Sequence, residues 1–276
     1  MRMSTEHLEQ LREAKRLLEH PGLAARMSNM IGSPIEAAIG RLPASWQKRV
    51  GVATENALQH AMRGALLTLD DAPDKERTAS PRLHKFAASL SGGVGGAFGL
   101  PGLLVELPVS TVIMLRSIAD IARANGEAPG EAATRLECLR ILAMGGPSQA
   151  DDATDSGYFA MRIALARAVT EATQALAART VNVATAPALL RLIAIVAGRF
   201  QVQVTQKAAT MLVPALGAVG GAGINLLFMD HFQAMSRGHF TVRRLEREYG
   251  DAFVRRQYER VAPHDAPAGG MPQLSF

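Results

Sequence analysis

Three ionisable side chains, Glu106, Asp230 and His231, stand at the ends of long apolar stretches. The first stretch, "SLSGGVGGAFGLPGLLVELP" (residues 89–108), holds six glycines and a single carboxylate, Glu106, set between Val105 and Leu107. The second, "MLVPALGAVGGAGINLLFMDHF" (residues 211–232), runs into Asp230 and then His231. Two carboxylates and an imidazole brought together would suit general acid–base chemistry or the ligation of a metal ion. Adjacent helical residues point about 100° apart, so Asp230 and His231 are poorly placed to share one ligand. An ionic link from Asp230 to Arg116 or Arg140 is the competing role.

Glu106 has a second reading as well. Pro108 lacks an N–H and disfavours a helical Leu107, so a helix is expected to begin near Pro108 and to run to about Ala124. An acid just ahead of it would accept orphan N–H bonds and face the positive end of the helix dipole. Glu106, Ser110, Ser117 and Asp120 also follow one another at steps of four, seven and three. They form one polar line on an otherwise apolar helix, which points to a polar cavity or channel in the core. Around and beyond Asp230 the apolar stripe runs Phe228, Phe232, Met235, His239, Val242 and Tyr249, so His239 belongs to the same inward face. His60 and His84 read as surface residues.

The elements that must position these residues are helices. Apolar residues make up 48% of the 276 and aromatics only 5%, and period-two runs of β-branched residues are hard to find. The tetrapeptide Val-Gly-Gly-Ala occurs at residues 94–97 and again at 219–222, each time followed by an aliphatic run and an acid. That reads as a divergent internal repeat and a pseudo-two-fold arrangement. Gly92 and Gly96, Gly95 and Gly99, and Gly217 and Gly221 are each four apart, which makes a groove on a helix. Each such glycine costs roughly 1 kcal/mol against alanine, and close helix packing would offset it. Gly220 extends the second groove, and Gly238 marks another close approach. The expectation is therefore an all-α, single multi-helix domain in which two glycine-rich arms meet at the centre, each bringing its carboxylate there.

Both arms are long enough to cross a bilayer: residues 86–105 and 208–229 carry no charge. Pro101, Pro214 and the glycines weaken insertion, and aromatic belts are absent. A buried pair of helices in a soluble or peripheral bundle is the favoured reading, with integral insertion as the alternative. Other helices are expected over about residues 8–18, 34–39, 45–69, 131–144, 158–179 and 185–207. The short one opens on "SPIE", with Ser33 as N-cap, Pro34 at the first position and Glu36 three residues on. Residues 1–44 form an N-terminal helical extension, 45–262 the main helical domain and 263–276 a disordered tail.

The formal charge is +5 and comes mostly from arginine. Such a balance favours anionic partners. The segment "RGHFTVRRLEREYGDAFVRRQYER" carries seven arginines against four acids. Arg243, Arg244, Arg247, Arg255 and Arg256 are its candidates for contact with anionic lipid headgroups. No helix-turn-helix spacing or interleaved aromatics supports nucleic-acid reading. The run "GGVGGAFG" lacks a dinucleotide fingerprint, because Phe98 stands in the third glycine's place, and no phosphate-loop lysine follows. Nucleophile-elbow and zincin motifs are missing too. One cysteine, Cys138, excludes an intrachain disulfide and a cysteine zinc cage. No cofactor or metal is expected. The charged start, with no apolar leader, suits a cytoplasmic protein peripheral to the inner membrane.

The glycine-rich run closed by Glu106-Leu107-Pro108, the helix "LRSIADIARANG" and the late segment "GAVGGAGINLLFMDHFQAMSRGHFTVRRLEREYG" together resemble the EcsC family over about residues 45–250. The family's first acid is often aspartate; glutamate stands here. The resemblance implies a bacterial, mostly helical protein, named for its association with an ABC-transporter operon, and no established reaction. Two functions follow as expectations. One is a non-catalytic protein that docks on membrane or on a membrane partner such as an ABC transporter, with an acyl chain held between the arms. The other is a helical hydrolase or metalloenzyme built on Glu106, Asp230 and His231.

Overall fold

The computed structural model describes residues 2–19, 23–32, 34–68, 99–144, 157–177, 186–212 and 217–261, and among these it contains ten α-helices and no strand. In chain order they are α1 (Thr5–Glu19), α2 (Leu23–Ile31), α3 (Ile35–Gly40), α4 (Ala44–Thr68) and α5 (Gly99–Ala124). There follow α6 (Ala132–Ile141), α7 (Gly157–Ala177), α8 (Pro187–Thr210), α9 (Gly217–Tyr249) and α10 (Asp251–Arg260). They build one helical domain around a single apolar core.

The longest helix, α9, has 33 residues and is the axis of the fold, with α1, α2, α5, α6 and α10 packed along it. On the other side α4 lies between α5 and α8, and α8 also meets α2, α3 and α7. Val50, Ala57, Leu58 and Ala61 of α4 are fully or nearly fully buried, as the helical spacing of these small and aliphatic residues requires. Gly250, at φ 83°, separates α9 from α10 in a backbone conformation that glycine adopts without strain.

The segment read as an N-terminal extension shares this core. Leu11 and Ala14 of α1 are buried, and α1 lies along α9. Lys15 Nζ donates to the carbonyls of Tyr258 at 3.0 Å and Val261 at 2.9 Å, so it caps the end of α10. Helix α3 begins at Ile35 with Pro34 in the N-cap place and no side-chain cap. The Ile35 N–H instead donates to Ser28 Oγ at 3.0 Å. Ser33 lies outside the described residues, as do Gly92, Gly95 and Gly96, most of the first glycine-rich arm, His84 and the C-terminal tail.

Helix α5 departs most from expectation. It starts at Gly99 rather than Pro108, so Pro108 lies inside it and Glu106 is an interior residue, not a cap. An interior proline removes a hydrogen bond and costs about 3 kcal/mol or more. The helix persists because its inward face is anchored on both sides of the proline: Leu103, Glu106 and Leu107 before it, Ser110 and Thr111 after it, are all buried. Pro101 falls in the first turn, where its missing N–H would have had no partner anyway.

Candidate functional site

Glu106 lies between three helices. Its Oε2 accepts from Lys207 Nζ of α8 at 2.7 Å, and its Oε1 accepts from Asn225 Nδ2 of α9 at 2.9 Å. Glu106 is 6% exposed, Lys207 1% and Asn225 3%. Burial by itself would push the carboxyl up. The Lys207 charge and the hydrogen bonds from Lys207 and Asn225 outweigh burial, and the carboxyl is held below the ordinary carboxylate range. The Lys207 ammonium also lies 5.5 Å from the centre of the Phe228 ring. With both carboxylate oxygens taken by donors, this Glu106 has the chemistry of a structural link rather than of a general base or a metal ligand.

The polar line on α5 continues inward only in part. Ser110 donates to the Leu107 carbonyl at 3.1 Å, and Ser117 Oγ accepts from Gln233 Nε2 of α9 at 2.9 Å, all within the core. Asp120 is half-buried and pairs with Arg123 of its own helix at 3.0 Å. Beside this line is a cavity of about 10 Å³, lined by Leu107, Ser110, Met114, Lys207, Asn225, Phe228 and Met229. That is room for about one water. No space for an acyl chain opens there among the described residues.

Asp230 does not reach the middle. It faces Arg26 of α2 at 3.7 Å, and its side chain is 36% exposed. The link expected to Arg116 or Arg140 is absent from the described ion pairs: Arg116 is exposed and Arg140 pairs with Glu137. The reason is helical geometry. Asp230 is five residues past Asn225, hence about 140° around α9, so only one of the two can face α5. The second arm thus brings an amide to Glu106, not a second carboxylate. His231 is buried against Phe232, with ring centres 5.1 Å apart. Burial, and then the charge of Arg26, push its pKa down to about 4. Among the described residues no three His, Cys, Asp or Glu side chains gather as metal ligands.

His239 belongs to a second buried network. Its Nε2 lies 3.1 Å from Glu137 Oε2 of α6, and its Nδ1 lies 3.0 Å from the Tyr158 hydroxyl of α7. Burial pushes the His239 pKa down to about 4 despite the Glu137 hydrogen bond. Glu137 is itself held at about 2, because its bond to His239 and the Arg140 charge outweigh burial. A neutral imidazole beside an ionised carboxylate fixes the tautomer: Nε2–H donates to Glu137, and Nδ1 accepts from Tyr158 O–H. Arg162 continues the chain by a two-point contact with Glu246 at 2.6 and 2.9 Å.

The C-terminal arginines mostly face inward partners. Arg243 binds Glu127 at 2.9 Å, Arg247 binds the same carboxylate, and Arg244 donates to Gln10 at 2.9 Å. Arg255 pairs with Glu259 at 3.0 Å, and Arg256 is exposed. Of the glycines, Gly217, Gly220 and Gly221 lie in the first turns of α9, and Gly99 opens α5 at φ 61°. At Gly223 the nearest neighbour is the Met30 side chain of α2. At Gly238 an added Cβ would stand 2.7 Å from Leu18 Cγ and 3.0 Å from the Ala14 carbonyl oxygen of α1.

Lys207, Asn225, Glu137 and Tyr158 were not singled out from sequence, though two left a trace. Lys207 shares a helical face with Phe200, Gln203 and Val204, and it is the charge that bounds the second uncharged run. Asn225 is the polar residue inside "GAGINLLFM". A model of the EcsC protein family matches residues 5–245. The chain belongs to the EcsC family. The match begins within α1, so the N-terminal helices are part of the family's region rather than an addition to it. Comparison with curated proteins and with solved structures gives no match.

Proposed function

We propose that this EcsC family chain is a non-catalytic helical protein that docks on membrane as a peripheral body. One observation carries the reading. Helices α5 and α8 are both long and apolar enough to cross a membrane; 61% of the most apolar stretch of α5 is buried but only 44% of that of α8, so more than half of the α8 stretch is not fully buried. The aliphatic side chains that α8 leaves exposed are available to a partner surface. An integral protein would not need a water-soluble surface of ion pairs such as those of α1 with its own turns and of α7 with α8. A surface-docked body reconciles the two.

The buried polar groups support the same reading in a different way. Glu106 and His239 are fully engaged inside, so they act as ties between helices, and what the molecule offers to others is its exterior. The rival, a hydrolase or metalloenzyme, needs Glu106, Asp230 and His231 at one place, and Asp230 points towards α2 instead. Flotation of the purified full chain with vesicles tests the proposal. Binding to vesicles rich in phosphatidylglycerol and not to phosphatidylcholine alone is expected at low salt. No recovery with either would refute it.

A further inference from the structure

Helices α5 and α8 bury several polar side chains within their apolar core faces and leave aliphatic side chains exposed. On α5, Glu106, Ser110, Thr111 and Ser117 are buried while Val105 is 79% exposed and Val109 54%. On α8, Gln203, Gln206, Lys207 and Thr210 are buried, while Leu190, Ile195 and Val202 are exposed. Both buried faces are otherwise apolar, with Leu103, Leu107 and Ile118 on α5 and Leu192, Val196 and Phe200 on α8, so the exposed aliphatics are surplus to the core and carry a cost in water. At the headgroup boundary of a bilayer the same aliphatics would be buried. The helix between them, α4, adds an exposed Val52 at 55%. Gly51 and the Gln201 side chain meet across the α4–α8 seam.

Charge follows the same layer. Helices α4, α5 and α8 hold eight basic residues and three acids, an excess equal to that of the whole chain, +5. Glu106 and Lys207 cancel inside. Lys48, Arg49, Arg116 and Arg191 are exposed, and Arg199 is half-buried. Helix α8 has no acid at all. Among the described ion pairs, Arg191 reaches a carboxylate on a neighbouring helix, Glu171 of α7, at 3.1 Å.

Resting on the membrane-docking reading above, we propose that the docking face is the α5–α4–α8 layer, and that its occupant is the surface of an anionic bilayer. The exposed aliphatics Val105, Val109 and Val202 enter the headgroup boundary, while Lys48, Arg49 and Arg199 meet lipid phosphates. The C-terminal arginines, spent largely on Glu127 and Glu259, lie outside this contact.

The experiment compares full-length variants by flotation with phosphatidylcholine vesicles containing phosphatidylglycerol. Val105→Glu with Val109→Glu, and separately Val202→Glu with Arg199→Glu, place acids on the proposed face. Arg256→Glu changes the exposed charge on α10. The face variants should lose binding by at least about tenfold, and Arg256→Glu should bind within about twofold of the unaltered chain. Equal binding by all, or loss with Arg256→Glu alone, overturns the face while leaving membrane docking intact. If the unaltered chain fails to float, the docking reading itself fails. A second readout does not depend on the acidic variants folding: an environment-sensitive fluorophore on Val109→Cys should shift to the blue when vesicles are added, and one on Arg256→Cys should not. Cys138 is buried and does not compete for label. Binding without a shift at position 109, or a concentration-dependent shift without vesicles that marks a second copy on this face, refutes the proposal.

Discussion

Replacing either partner of the Glu106–Lys207 pair tests whether these groups tie the core together. Both are almost fully buried, 2.7 Å apart, with Asn225 on the second carboxylate oxygen. In Glu106→Gln the ammonium keeps an acceptor but loses its counter-charge in a desolvated site. Breaking a buried pair from one side costs about 3–5 kcal/mol. Lys207→Met leaves the carboxylate with hydrogen bonds alone, and burial then raises its pKa above the unfolded value. The folded variant therefore binds the extra proton, so its deficit against the unaltered chain should shrink as pH falls towards the unfolded value and grow as pH rises. Removing both charges together, Glu106→Gln with Lys207→Met, should cost less than either single change, with a coupling energy of at least about 2 kcal/mol. Urea unfolding followed by far-UV circular dichroism measures all three. Single-variant losses under about 1 kcal/mol, or costs that add in the double variant, would refute the buried pair. Because Glu106 is an internal tie, folded Glu106→Gln should still bind vesicles as the unaltered chain does.

Two glycines on α9 should respond oppositely. Gly238→Ala drives a methyl onto the Ala14 carbonyl of α1 and should lose about 1–3 kcal/mol in the same unfolding assay. Gly223→Ala meets only the flexible end of Met30 and should be neutral or gain up to about 1 kcal/mol from helix propensity. Acid should weaken the fold early. His231 and His239 are held neutral to about pH 4, whereas unfolded histidine takes its proton near 6.5. The unfolded chain therefore binds more protons in that window, and stability falls as pH drops through it, by up to about 3 kcal/mol per histidine. Urea midpoints at pH 7 and pH 5 measure this; His231→Gln should flatten the dependence, and equal midpoints would contradict it.

Much of the fold was legible because it is local. The spacing of Val50, Ala57 and Ala61 gave α4 to within a residue at each end, and Pro187 marked the start of α8. The errors have tertiary causes. Pro108 signals a helix boundary, but burial on both sides of it overrides that preference. "SPIE" promises a side-chain cap, yet Ser28 from the preceding helix takes the Ile35 N–H instead. At the site, Glu106 stood out because an isolated acid in an apolar run needs a partner. Its partners could not be named, since Lys207 and Asn225 are 101 and 119 residues away in sequence. Asp230 was paired with Glu106 by the repeat, and the repeat is silent on rotation around α9. The arginines of α9 looked free because their acids, Glu127 and Glu137, come from the other half of the chain.

A folded body that rests on membrane without crossing it should leave the bilayer without detergent. Extraction of membranes from cells producing the full chain tests this directly. Washing with high salt and then alkaline carbonate should move the protein into the supernatant, still helical and monodisperse without detergent. Retention in the pellet through both washes, with release only by detergent, would contradict it.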